Sequence, residues 1–287
     1  MSAKLIDGTA VAATIREEIA IEVAAMVAAG STPPGLGVLL VGDDPASAIY
    51  VRMKTTACQQ AGFYSEQLIL PADATQDDVV AAVRGFNEDP RIHGILVQLP
   101  LPGHVDEDLV VRTIDPAKDA DGLHPDNVAR LAMGLPRVLP CTPAGVMELL
   151  RHEQTELRGI EAVVVGRSNL VGRPVARLLQ LADATVTVAH SRTADLGAVT
   201  RRAGVLVVAA GHPGLVTGAM VRPGATVIDV GVNALPAQQE GGKRQVVGDC
   251  DRESVAAVAG KLSPVPGGVG PMTIAMLLSN TLQAARR

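Results

Sequence analysis

Tryptophan is absent from this 287-residue chain, and Phe and Tyr occur only twice each, so a sequence that is 47% hydrophobic must build its core from aliphatic side chains. Tyr50 therefore stands out as a scarce ring. Only three cysteines are present, Cys58, Cys141 and Cys250; isolated and odd in number, they fit buried reduced thiols better than a disulfide framework or a zinc motif. No apolar run approaches the length of a membrane span, and the first twenty residues lack a basic-then-apolar leader pattern, so the expected location is the cytoplasm. Basic blocks are missing as well. With 25 basic against 30 acidic residues and a net charge of −5, nothing traces a phosphate backbone, which argues against a nucleic-acid partner. The six His show no H-E-x-x-H spacing, and there is no G-x-S-x-G elbow of a serine hydrolase.

What is present is alternation. Apolar positions recur at helical spacing from Val11 to Ala29 and stop at Gly30, a suitable C-cap. LGVLLVG, YSEQLIL and IHGILVQL then alternate with helical stretches starting near Pro45 and Thr75, the signature of βαβ units and a parallel sheet. From Leu99 to Pro143 turn formers dominate and periodicity is weak, as in a functional loop or a domain junction. The alternation restarts with EAVVVG, ATVTVAH, VLVVAAG and ATVIDVGV, separated early on by helices starting at Pro174 and Asp195. A last helix is expected over Pro271 to Ala285. The length suits one large α/β domain or two ordinary ones.

EAVVVGRSNLVGRPVARLLQ passes from a strand through glycines into a helix, an arrangement that seats dinucleotide phosphates at a helix N-terminus. Gly166 and Gly172 are six residues apart, so neither G-x-G-x-x-G nor a P-loop is present, and alone the pattern fits an ordinary turn equally well. The following strand tips the balance, because it ends in His190, Ser191, Arg192 and Thr193 where an NAD site commonly places an acid. A hydroxyl and a guanidinium suit a 2′-phosphate, with Arg167 and Ser168 as further donors, so the expected cofactor is NADP.

In the helix after Gly42, Ser47, Tyr50 and Lys54 lie at i, i+3 and i+7 and share one face. That helix starts beyond the carboxyl end of a strand, the edge where open parallel sheets bind ligands, and Gln98 ends a strand of its own. A lone helical lysine is usually a surface residue. The company of Tyr50 and Gln98 makes this one a site candidate.

These residues resemble a known family, the bifunctional methylenetetrahydrofolate dehydrogenase/cyclohydrolases. The matching segments are SAIYVRMK (Ser47 to Lys54), GILVQLPLP (Gly94 to Pro102), KDADGLHP (Lys118 to Pro125), PCTP (Pro140 to Pro143), VVGRSNLVGRP (Val164 to Pro174), IDVGVN (Ile228 to Asn233) and PVPGGVGPMT (Pro264 to Thr273), in family order across nearly the whole chain. The resemblance implies an α/β protein of two domains, each a mainly parallel sheet with flanking helices, the second Rossmann-like, with a cleft between them. The expected division is residues 1–139, completed by a C-terminal helix over 271–287, for folate and catalysis, and 140–270 for NADP. It further implies a homodimer acting on tetrahydrofolate one-carbon derivatives. Lys54, Gln98, Tyr50 and Asp121 are then the catalytic set, with Ser47, Leu99, Gly267, Gly268 and Pro271 also toward the substrate. Gly166, Arg167, Ser168, Gly172, Ser191, Arg192 and Val232 fall toward the cofactor. One departure is Thr56, where the family often has a second lysine; two helical steps turn it about 200° from Lys54, away from the chemistry. Phe63 stands where the family often has Ile.

The family chemistry divides the labour. Hydride loss from the methylene carbon is driven by nitrogen lone pairs and needs orientation rather than a base. Hydration of the resulting methenyl cation and ring opening need proton transfers, for which Lys54 is the candidate, held by Gln98. An amine serving near neutrality must be desolvated or stand beside positive charge, and the cationic substrate supplies charge. Tyr50 would line the folate slot, and the Asp121 carboxylate would accept from adjacent pterin N–H groups. Asp115, Asp119, Asp121 and Asp126 are not an EF-hand, because Ala117 and Val128 stand at two ligand positions; no metal is expected. The rival readings are a monofunctional NADP dehydrogenase and a non-catalytic NADP-binding sensor.

Overall fold

The computed structural model describes residues 2–235 and 245–287. In chain order the first half contains β1 (Lys4–Leu5), α1 (Gly8–Ala28), β2 (Gly35–Val41), α2 (Pro45–Gln60), β3 (Tyr64–Leu70), α3 (Gln76–Glu88) and β4 (Gly94–Val97). There follow α4 (Glu107–Thr113), α5 (Pro125–Ala132), α6 (Cys141–His152), β5 (Glu161–Val165), α7 (Gly172–Leu181), β6 (Thr185–Ala189), α8 (Leu196–Thr200), β7 (Val205–Val208) and β8 (Thr226–Asp229). The chain ends with β9 (Asn233–Leu235), β10 (Gln245–Val247), α9 (Arg252–Ala256), β11 (Lys261–Leu262) and α10 (Val269–Ala285). Among the described residues no helix is long and apolar enough to cross a membrane.

The chain divides into two compact units, one of Ala13–Cys141 with Ile274–Arg287, the other of Met1–Ala12 with Thr142–Thr273. The first holds a three-stranded parallel sheet in the order β3-β2-β4. Its central strand, GLGVLLV, is buried along its whole length, because helices cover both faces of a parallel sheet and leave no side for polar alternation. Ile274, Leu277, Leu278 and Leu282 of α10 join Ile19 and Val23 of α1 and Leu36, Val38 and Leu40 of β2 in one aliphatic core. The C-terminal helix thus packs into the core of this unit.

The second unit is a six-stranded parallel sheet in the order β1-β11-β8-β7-β5-β6. From β5 the chain goes to β6 on one side and then to β7 on the other, so the strand order reverses at β5, and ligands of such sheets bind beyond the carboxyl ends at that reversal. The first dozen residues depart from the expected division. β1 pairs with β11, and Ala3 packs among Val227, Val255 and Leu262, so this segment belongs to the six-stranded unit. A two-residue strand has no periodicity from which its partner can be read.

The turn-rich stretch after Leu99 holds two helices of their own, α4 and α5, capped by the side chains of Asp106 and His124. With seven and eight residues they bury only Val110, and Asn127 with Leu131, too few positions to show a period. Likewise α10 starts at Val269, two residues before Pro271, which remains in its first turn.

Beside β1, Glu153 is buried while its carboxylate accepts from Lys4 Nζ at 2.8 and 3.0 Å and pairs with Lys261 Nζ at 3.2 Å. Burial pushes its pKa up, and the hydrogen bonds and charges of Lys4 and Lys261 more than offset this, leaving it below the ordinary Glu range. Such a group stabilises the fold above its unfolded pKa of about 4.3, and the contribution fades as pH falls through the depressed folded value. Removing one partner of a buried pair costs about 3–5 kcal/mol, and the exposure of Lys4 trims that toward about 2–3 kcal/mol here. In thermal melts Glu153→Gln should therefore unfold at lower temperature than wild type at pH 7, with the gap closing below about pH 4. A gap independent of pH would show that the ion pairs do not stabilise this corner.

Candidate functional site

In the three-stranded unit, β2 delivers the chain to Asp44, whose Oδ2 accepts from Ser47 N at 2.7 Å and, with Pro45 in the first turn, starts α2. The helix carries buried Ser47, exposed Tyr50 and half-buried Lys54 past the carboxyl edge of the sheet. At the end of the neighbouring β4, Gln98 Nε2 donates to Leu99 O at 2.8 Å, which turns Oε1 toward Lys54. Lys54 Nζ donates to that oxygen at 3.1 Å. Thr56 is exposed, and Phe63 is buried in the core.

Asp121 lies on a strapped loop. Residue 119 bridges to Ile95 of β4, Ala120 N donates to Ile95 O, and Lys118 Nζ donates to the carbonyls of Phe86, Asn87 and Asp89 at the end of α3. Buried Asp119 accepts from Gly122 N, His124 N and Asn127 Nδ2 at 2.8 to 3.0 Å, and burial holds its pKa above the usual carboxylate range. It and Asp115, which accepts from Ala117 N, make turns. Immediately before Asp121, Ala120 O accepts from Asn280 Nδ2 at 2.9 Å and from the Cys141 thiol at 3.3 Å.

Cys141 and Asn280 were not legible as site residues. All three cysteines are buried as expected, but Cys141 also stands within electrostatic reach of Asp121 and Lys54. Burial and the adjacent Asp121 carboxylate push its thiol well above the usual range, while Lys54 pulls the other way. A lone cysteine carries no spacing signal. Asn280 offered none either, since it stands between Ser279 and Thr281 in a polar stretch of α10.

In the six-stranded unit the glycine loop sits at the reversal of strand order. Gly166, directly after β5, has φ +123°, and a Cβ there would lie 2.1 Å from Ala209 O; one on Gly172 would lie 2.3 Å from Gly166 O. Only glycine lets these three backbone segments meet, leaving a shallow cradle at the start of α7. Ser168 Oγ accepts from Val171 N and Gly172 N at 3.2 and 3.3 Å and so shapes the loop, with Arg167 exposed beside it. At the end of β6, His190 N donates to Thr193 Oγ1 and Arg192 N to His190 Nδ1, a turn that leaves Ser191 and Arg192 exposed. Val232, past β8, is 57% exposed. This combination of cradle, hydroxyl and guanidinium fits a phosphorylated dinucleotide. Gly267, Gly268 and Pro271 belong to this unit too, where Gly267 O accepts from Thr9 N of α1.

Two family descriptions match most of the chain. The tetrahydrofolate dehydrogenase/cyclohydrolase catalytic domain matches residues 6–121, and the NAD(P)-binding domain of the same family matches residues 140–287. The chain is similar to the "Bifunctional protein FolD" of Bordetella avium, 54% identical over 100% of this chain and 99% of the other. Among solved structures it is similar to the bifunctional methylenetetrahydrofolate dehydrogenase/cyclohydrolase of Campylobacter jejuni, with TM-score 0.94 and 46% identity over 99% of each chain. The Trypanosoma brucei enzyme complexed with NADP cofactor and inhibitor matches with TM-score 0.95 and 42% identity, covering 100% of this chain and 98% of that one.

Proposed function

The chain belongs to the tetrahydrofolate dehydrogenase/cyclohydrolase family, and from that premise we propose which of its residues carry each activity. It is a bifunctional, NADP-dependent enzyme that oxidises 5,10-methylenetetrahydrofolate to the methenyl form and hydrolyses that to 10-formyltetrahydrofolate. Lys54 is the proton-transfer residue of the hydrolysis. The observation that carries this is the 3.1 Å hydrogen bond from its amine to Gln98, on the face shared with Ser47 and Tyr50. As water adds to the methenyl carbon, the amine takes its proton. When the adduct collapses, the carbon–N5 bond breaks and the hydroxyl proton passes to N5. Gln98, itself tethered through Leu99 O, holds the amine where this transfer occurs.

Asp121 accepts from the pterin N–H groups, and Asp119, Cys141 and Asn280 keep its loop from drifting. Tyr50 offers the ring that lines the folate slot, and Gly267, Gly268 and Pro271 bring close-approaching backbone toward the substrate. NADP, when bound, supplies the hydride acceptor. Gly166, Gly172 and Ser168 shape the seat for its phosphates, Ser191 and Arg192 meet the 2′-phosphate, and Arg167 and Val232 flank them. The family reading also carries a homodimer in the cytoplasm.

The direct test incubates purified protein with methylenetetrahydrofolate and NADP⁺ while NADPH, methenyl and formyl products are followed together. NADPH should appear with little methenyl accumulation and matching formyl product, and NAD⁺ should support a slower reaction. NADPH formed in step with methenyl that disappears only at the spontaneous rate would make the enzyme monofunctional.

A further inference from the structure

In the six-stranded unit a buried carboxylate outside the assigned site ties together two loops of the cofactor rim. Asp249, fully buried, accepts through Oδ2 from Ala210 N at 2.6 Å and Gly211 N at 2.9 Å, and through Oδ1 from His212 N and Asn233 Nδ2, both at 2.9 Å. Residues 210–212 leave the carboxyl end of β7, and Asn233 lies four residues past the end of β8. Asp249 is itself held by a second buried carboxylate. Asp229, the last residue of β8, accepts from Asp249 N, Cys250 N and Gly231 N at 2.9 to 3.0 Å.

We propose that Asp249 is a positioning residue for the dehydrogenase reaction, fixing the cofactor rim through its four donors. The inference rests on the reading that the dinucleotide lies along this sheet edge. Ala209 O is the atom against which Gly166 closes, so the amides clamped by Asp249 begin one residue from the phosphate cradle. Exposed Val232 is the neighbour of Asn233 at the other end of the clamp. A carboxylate is the side chain that accepts four N–H bonds through two atoms in so small a space. An asparagine would turn an NH₂ toward two of those donors, lose both bonds and splay one loop from the other.

The two activities make the test specific, since hydrolysis of added methenyltetrahydrofolate needs no dinucleotide. In Asp249→Asn, KM for NADP⁺ and for NAD⁺ should rise by the same factor, roughly tenfold or more, with a smaller fall in kcat. Cyclohydrolase activity of the same sample should stay within twofold, and the melt should remain cooperative. Arg192→Ala provides the contrast, because it should move NADP⁺ alone. Asn233→Ala removes one donor of four and should raise both cofactor KM values by a smaller factor, which decides the matter if Asp249→Asn does not fold. Unchanged cofactor KM in a folded variant, a shift confined to NADP⁺, or a parallel loss of cyclohydrolase would overturn the proposal. Wild-type protein that reduced neither NADP⁺ nor NAD⁺ would instead sink the reading of the rim on which it rests.

Discussion

Replacing Lys54 with Met should abolish most of the hydrolysis of methenyltetrahydrofolate and spare most of the oxidation that produces it. The two steps ask different things of the protein. Hydride departure is driven by the folate nitrogens and needs the carbon held in place, the role proposed for Tyr50 and Asp121, whose loop Asp119 ties down. Water attack needs a group to take a proton, an effect commonly worth about 10²–10⁴-fold, and the Lys54 amine on Gln98 is the group in position. Met keeps most of the side chain's length and removes the nitrogen. During turnover with NADP⁺ the variant should therefore accumulate methenyltetrahydrofolate, seen by its absorbance, with dehydrogenase kcat within about tenfold of wild type. Hydration of added methenyl substrate at the wild-type rate, after subtraction of the spontaneous reaction, would remove Lys54 from the chemistry.

Gly166→Ala should produce the complementary defect. At φ +123° an L-residue is strained by about 1–3 kcal/mol, and its Cβ would stand 2.1 Å from Ala209 O, a backbone atom that cannot swing aside. Either the β5 loop or the end of β7 must shift, and a misplacement of about 1 Å at a positioned reactant costs on the order of 10²-fold. Dehydrogenase kcat/KM for NADP⁺ should fall by about that factor. Cyclohydrolase activity should persist, because Lys54, Gln98 and Asp121 all lie in the other compact unit. Wild-type NADP⁺ kinetics in this variant would show that the cradle is not where the phosphates sit.

Much of this fold is legible in the sequence. The runs that became β2, β5, β7 and β8 are short, aliphatic and bounded by turn formers, because a parallel strand covered on both faces has no polar side to interrupt the pattern. The shared face of Ser47, Tyr50 and Lys54 follows from helical geometry alone. The helices expected from Thr75 and Asp195 are α3 and α8, where the side chains of those two residues accept from the backbone three residues on. Local physics with a period or a turn preference writes itself into neighbouring residues, and those determined the class of the fold, the glycine loop and the lysine.

Tertiary structure decided what joins distant residues. Asn280 reaches Ala120 across 160 positions, Lys4 reaches Glu153 across 149, and Asp249 gathers amides 37 to 39 positions away. Cys141 reads as one more buried thiol until folding sets it beside Asp121 and Lys54. None of these pairs has a spacing rule, since a hydrogen bond depends on where two atoms finish in space and not on how many residues separate them. The sequence by itself therefore determined most of the elements and named the candidate side chains. Only the packed chain determined which carboxylates, amides and thiols hold them still, because those partners are selected by the burial that folding imposes.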